Sequence, residues 1–144
     1  MKLPKILHST NKVKHSVSKG FYIGINPKYK NNVGRLAHEE EHVRQWYLVT
    51  FALFIPYLIC AVAFVSWPWH IVAFIHCSLV YNLATKYIRR ARLKSEVLAF
   101  RAQLKYDPKH VFHLATVLAS SYKLNITTAT AIELLKGNEN EHTY

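Results

Sequence analysis

Residues 37–66 read AHEEEHVRQWYLVTFALFIPYLICAVAFVS, a histidine-rich acidic stretch that ends at Arg44 and gives way to a run without charge. Its first part contains an H-E-x-x-H box formed by His38, Glu39 and His42. On a helix, side chains four apart lie on one face, so the two imidazoles can share one metal ion. Glu39 falls one position round, where a carboxylate can take a proton from water beside the metal. This spacing predicts a helix over about 34–46. Its middle positions, Glu40 and Glu41, read as solvated carboxylates favoured by the dipole of the helix N-terminus.

The second part sets the architecture. Tyr47 to Ser66 is twenty apolar or weakly polar residues, about 30 Å as a helix and close to the hydrocarbon thickness of a bilayer. Trp67-Pro68-Trp69-His70 then supplies a breaker framed by tryptophans, and Ile71 to Thr85 returns as a second apolar arm. From Gln45 to Thr85 there is no Asp, Glu, Lys or Arg. The pattern predicts an apolar helical hairpin over 45–85, inserted between the box helix and a second helix over about 86–105. Arg44 precedes the hairpin, and Lys86, Arg89, Arg90, Arg92 and Lys94 follow it, which places both ends on the cytoplasmic side of a membrane. Two crossings return the chain to the leaflet it left, whereas one would separate the halves of any site. The alternatives are a monotopic pair in one leaflet and a buried hairpin in a soluble cytoplasmic protein.

A catalytic zinc site takes three protein ligands and keeps one position open. Outside the box the carboxylates are Glu96, Asp107, Glu133, Glu139 and Glu141. Glu96 is the natural third ligand, because Leu93, Val97 and Phe100 recur beside it at helical spacing and place it next to a packing stripe. Its competing role is a surface pair with Arg92 or Arg89. His, His and Glu together suit Zn2+.

HEEEHVRQW followed, one apolar hairpin later, by SEVLAFRAQ resembles the small H-E-x-x-H zinc-peptidase-like proteins of bacteria and their phages, which are similar to gluzincins. The resemblance spans roughly residues 20 to 136, with its specific part confined to the two helical motifs. It implies His38, His42 and Glu96 as metal ligands, Glu39 as general base and a peptide or protein as substrate. It also implies that the strand before the box helix, Phe21 to Ile25, aligns an extended substrate. Two other readings stay open beside the peptidase: a catalytically silent membrane protein stabilised by metal, and a membrane-acting hairpin for lysis or permeability.

The chain carries 19 Lys and Arg against 8 Asp and Glu, a net charge of +11, and all of these basic residues fall outside the hairpin. Such a collar attracts anionic lipid headgroups. No nucleic-acid motif accompanies it, and nucleic acid is not an expected partner. Cys60 and Cys77 lie at comparable depths in the two arms and read as small apolar groups. His70 and His76 read as interfacial or core histidines. The N-terminus lacks the apolar core of a signal peptide, so the hairpin is expected to direct insertion.

The expected fold is mainly α with a small N-terminal β-hairpin, a minimal zincin-like core over residues 1–144 interrupted by the apolar hairpin. The β-hairpin is read from Lys12 to Val17 and Phe21 to Ile25, with Ser18-Lys19-Gly20 as its turn. Asp107-Pro108 opens a helix through Tyr122 that turns Val111, Leu114 and Leu118 inward. Thr127 or Thr128 starts a last helix that stops at Gly137. For the group that stabilises an oxyanion, the candidates are Arg101, Tyr106, His110 and His113. Oligomeric state is not readable.

Overall fold

The H-E-x-x-H segment and the first apolar arm form one uninterrupted helix, α1 (Val33–Ala61), rather than two elements meeting near residue 46. Nothing between them breaks helical geometry, since Arg44 to Tyr47 contains neither Gly nor Pro. The computed structural model describes residues 4–12, 16–61, 65–122 and 124–137. The Asn32 side chain starts α1 by accepting a hydrogen bond from the Arg35 backbone N–H at 2.8 Å.

Three strands precede it: β1 (Ile6–Ser9), β2 (Ser16–Lys19) and β3 (Tyr22–Ile25), in the order β1-β3-β2. β2 and β3 pair antiparallel through a two-residue turn, Gly20-Phe21, in which Gly20 has φ +59°. A glycine at the first central position is what such a hairpin favours. The strand therefore reaches Lys19, and Ser18 and Lys19 belong to it rather than to the turn; residues 13–15 of the expected first strand lie outside the described residues. β1, which pairs parallel with β3, was not foreseen, because Ile6 to Ser9 is exposed throughout and lacks an alternating apolar face. β3 is central and buries Ile23 and Ile25 completely.

The returning arm is α2 (Trp67–Tyr87). Trp67 and Pro68 open this helix instead of forming the turn, as proline readily does in a first helical turn. Phe54 meets Phe74 at 5.2 Å and Tyr57 meets the His70 ring at 5.8 Å, so the arms run antiparallel along an aromatic seam. Away from that seam their outer faces are uncovered: Ile55 is 52% exposed, Ile59 74% and Leu83 51%. α1 is long and apolar enough to cross a membrane, and α2 reaches that standard only jointly with the next helix across a 98° bend.

The bend falls at Ile88 and opens α3 (Arg89–Leu104), which folds back along the first half of α1. Gly34 permits the approach, since a Cβ there would stand 3.3 Å from the Gln103 side chain. A short 3-10 turn at Pro108–His110 leads to α4 (Val111–Ser121), and α5 (Thr128–Lys136) follows. The Asp107 side chain pairs with the His110 ring at 2.6 Å and does not cap. Thr127 caps α5 by accepting from the Thr130 N–H at 3.1 Å. Val97 and Phe100 of α3 pack on Leu114, Ala115 and Leu118 of α4 and on Ala131 and Leu135 of α5, which forms the apolar core. The molecule is mainly helical with a small N-terminal sheet.

Candidate metal centre

α1 carries His38, Glu39 and His42 on the turns that face α3, and α3 returns Glu96 to the same point. The ligand atoms form a triangle: His38 Nε2 to His42 Nε2 is 3.2 Å, and each nitrogen lies 3.6 Å from Glu96 Oε2. Bonds of 2.0–2.1 Å at the tetrahedral angle would hold such atoms about 3.3 Å apart. Glu96 Oε2 and His38 Nδ1 are buried without a hydrogen-bond partner. A carboxylate oxygen stranded between two imidazole nitrogens, too far from either for a good hydrogen bond, fits a small cation at the centre of the triangle.

The electrostatics agree with that geometry. Burial alone would raise the pKa of Glu96, but the two neighbouring imidazoles reverse the effect and hold it down at about 2. Burial alone would lower His42, yet Glu96, followed by Glu39 and Glu41, carries it above its ordinary value. The site is thus arranged for positive charge.

His42 is oriented by partners on two other helices. Its Nδ1 lies 3.1 Å from both Tyr81 Oη on α2 and Ser95 Oγ on α3. Ser95 Oγ donates to Gln45 Oε1 at 2.7 Å, and Tyr81 Oη reaches the same oxygen at 3.1 Å. With the Ser95 proton directed at Gln45, its oxygen accepts from Nδ1–H, which makes Nε2 the nitrogen that the neutral ring offers towards Glu96 and His38. Gln45 is itself fixed, because its Nε2 donates to Glu41 at 3.2 Å and to the Ser95 carbonyl at 3.3 Å.

Glu41 is accordingly no solvated first-turn carboxylate. Arg44 grips it with two hydrogen bonds of 2.7 and 2.6 Å, and through Gln45 it supports the orientation of His42. Glu40 faces the other way and pairs with Lys5. Glu39, 6% exposed, accepts a hydrogen bond from Ser16 Oγ of β2 at 2.7 Å.

These groups line a cleft of about 420 Å³. The triad and Glu39 form its floor, and all four residues of β2 form one wall. Asn82, Thr85 and Lys86 of α2, Arg92 of α3 and Tyr122 complete the lining. The Tyr122 phenol is pushed well above its usual range by burial and by the Glu96 carboxylate beside it, so it stays a hydrogen-bond donor.

Of the residues singled out from sequence, His38, Glu39, His42 and Glu96 come together here. None of the four oxyanion candidates lines the cleft: Tyr106, His110 and His113 are exposed elsewhere, and Arg101 donates to the Leu134 carbonyl at 2.9 and 2.7 Å. His70 packs on Tyr57 and His76 bonds the Val72 carbonyl, both away from the triad. Cys60 and Cys77 are free thiols. The residues that sequence reasoning missed are Ser16, Gln45, Tyr81, Ser95 and Tyr122. Gln45 and Ser95 carry a faint signal, being polar and within a helical turn of a ligand; the others become visible only when the chain folds.

Comparison with known protein families, with curated proteins and with solved structures finds no match for this chain.

Proposed function

We propose that the chain is a membrane-associated zinc metallopeptidase that hydrolyses peptide bonds. The observation that carries this reading is the triangle of His38, His42 and Glu96 at tetrahedral spacing, with the Glu39 carboxylate next to it in an open cleft. The likeness of the two helical motifs to small gluzincin-like proteins supports the same reading. In such a site zinc supplies Lewis acidity, which polarises a carbonyl and acidifies water.

The chain's own residues divide the remaining work. Glu39 takes a proton from the attacking water and returns it to the leaving amine, while Ser16 holds the carboxylate in place. Tyr122, a protonated phenol lining the cleft, would meet the negative charge that develops on the scissile carbonyl oxygen. An extended peptide would pair with β2, the edge strand on the cleft, rather than with Phe21 to Ile25, whose β3 is enclosed between two partners.

The uncovered apolar faces of α1 and α2 support insertion of the hairpin in a bilayer. Trp67 and Trp69 are exposed at one end, and Lys86, Arg89 and Arg90 lie at the other, which favours a metal site at the cytoplasmic face.

Elemental analysis beside a cleavage assay tests the proposal. Wild type is expected to hold about one zinc per chain, and His38→Ala and Glu96→Ala to lose it. Glu39→Gln is expected to keep zinc and lose cleavage of a peptide library. Stoichiometric zinc without turnover would make the metal a clamp between α1 and α3. No zinc in wild type would leave the apolar hairpin as the functional part.

A further inference from the structure

We propose that the cleft selects peptides carrying an acidic side chain within about three residues of the scissile bond. The inference rests on the metallopeptidase reading and names its substrate class.

The charges on the cleft wall carry it. Lys19, Lys86 and Arg92 line the cleft, and its carboxylates are Glu39 and Glu96. Both carboxylates are turned inward, Glu39 accepting from Ser16 and Glu96 facing the two imidazoles at 3.6 Å. Among the described residues no carboxylate pairs with the three cations, whereas Glu40, Glu41 and Asp107 pair with Lys5, Arg44 and His110. Lys86 lies over the Tyr87 ring at 5.0 Å and Arg92 over the Tyr122 ring at 5.8 Å, contacts that position a cation without neutralising it. A divalent ion on the triad adds two further positive charges. The loaded cleft then carries an excess that an anionic side chain of the substrate would balance.

The strand geometry sets the distance. Ser16 is tied to Glu39, and Lys19 borders the same cleft three positions further along β2, about 10 Å away at the usual rise per residue. Lys19 stands on the other face of the strand, which leaves Lys86 and Arg92 as the cations of the metal side. A peptide paired with β2 and cut beside Glu39 therefore runs past Lys19 within three residues. Lys86 and Arg92 line the same cleft from α2 and α3. A lipid headgroup is the less suited ligand, because Arg89, Arg90 and Lys94 are exposed outside the cleft and offer a separate basic face to a membrane surface.

The test uses zinc-loaded Glu39→Gln protein in non-ionic detergent and an end-blocked randomised octapeptide library. Captured peptides are expected to be enriched roughly tenfold in Glu or Asp over Gln or Asn at one position, and less so at high salt. The enrichment should vanish in a Lys86→Gln, Arg92→Gln protein that still binds zinc, and persist when the two residues are exchanged as Lys86→Arg and Arg92→Lys. No capture, no acidic enrichment, or enrichment that survives both charge removal and high salt would each overturn the inference. It would equally be overturned if charge removal weakened binding to phosphatidylglycerol vesicles and left the peptide profile intact. The two failures separate cleanly. Glu39-dependent cleavage without acidic preference defeats this inference alone, and acidic capture without cleavage by wild type defeats the peptidase reading and, with it, the placement beside a scissile bond.

Discussion

Within the triad the decisive atom is His42 Nδ1, because its partners fix which nitrogen would face a metal. Tyr81→Phe removes one of the two hydroxyls at 3.1 Å and keeps the ring. Loss of such an outer partner typically costs ten- to a hundredfold in metal affinity. Competition titration against a chromophoric chelator is expected to show a weakening at the lower end of that range for Tyr81→Phe. The same assay should show a larger weakening when Ser95→Ala is added. Unchanged affinity in the double variant would mean that these hydroxyls do not orient the ring.

The same residues set a pH dependence whose sign differs between the metal-free and loaded protein. Glu96 is lowered from 4.5 to about 2, so its stabilising contribution is present above pH 4.5 and lost as pH falls towards 2. His42 is raised above 6.5, so its contribution is complete below 6.5 and lost as pH rises through the folded value. Metal-free protein should therefore draw most from this pair between about pH 4.5 and 6.5. Metal must displace the His42 proton, so binding strengthens as pH rises over the window in which the metal-free pair weakens. Thermal unfolding with and without chelator is expected to show a gap that widens from pH 6 to pH 8. A gap that narrows over that interval would contradict the arrangement.

Among the elements, the structure separates an apolar core from an apolar exterior that are alike in composition. Leu118 of α4 is fully buried against α3 and α5, and Ile55 of α1 is half exposed on the hairpin. Leu118→Ala is expected to cost about 2–5 kcal/mol in a detergent-solubilised unfolding measurement. Ile55→Arg should change that stability little and instead impair membrane insertion, measured as the membrane-bound fraction after expression. Equal stability losses at both positions would mean that the hairpin is packed against protein. Length and the absence of charge made both arms legible, periodicity did so for α3 and α4, and Thr127 with Gly137 marked α5. β1 was hidden, because its pairing partner gives it order that its own four exposed residues do not encode. The fusion of box and span into α1 was hidden too, because a change in residue class from charged to apolar marks a change of surroundings and not a helix end.

Across the whole molecule, the hairpin helps to build the candidate metal site. Trp46 Nε1 donates to the Ser78 carbonyl at 2.8 Å and Tyr81 touches His42, so α2 supports the floor of the cleft directly. The three ligands and Glu39 were legible because they obey local spacing rules on two helices. Their supporting shell was not, since Tyr81 and Ser95 stand 39 and 53 residues from His42 and nothing in a linear pattern couples them.

Topology then becomes a condition on the site. α1 leaves the cleft and α2 returns to it, so the Ser66 end of the hairpin must lie on the far side of any bilayer that both arms cross. With Cys60 and Cys77 replaced by alanine, Ser66→Cys should react with a membrane-impermeant maleimide applied outside intact expressing cells. Ser120→Cys, on the exposed face of α4, should react only after permeabilisation. Protection of both positions until permeabilisation would place the hairpin within one leaflet or inside the cell. Reaction of Ser120→Cys from outside would reverse the orientation and move the cleft away from the cytoplasmic face.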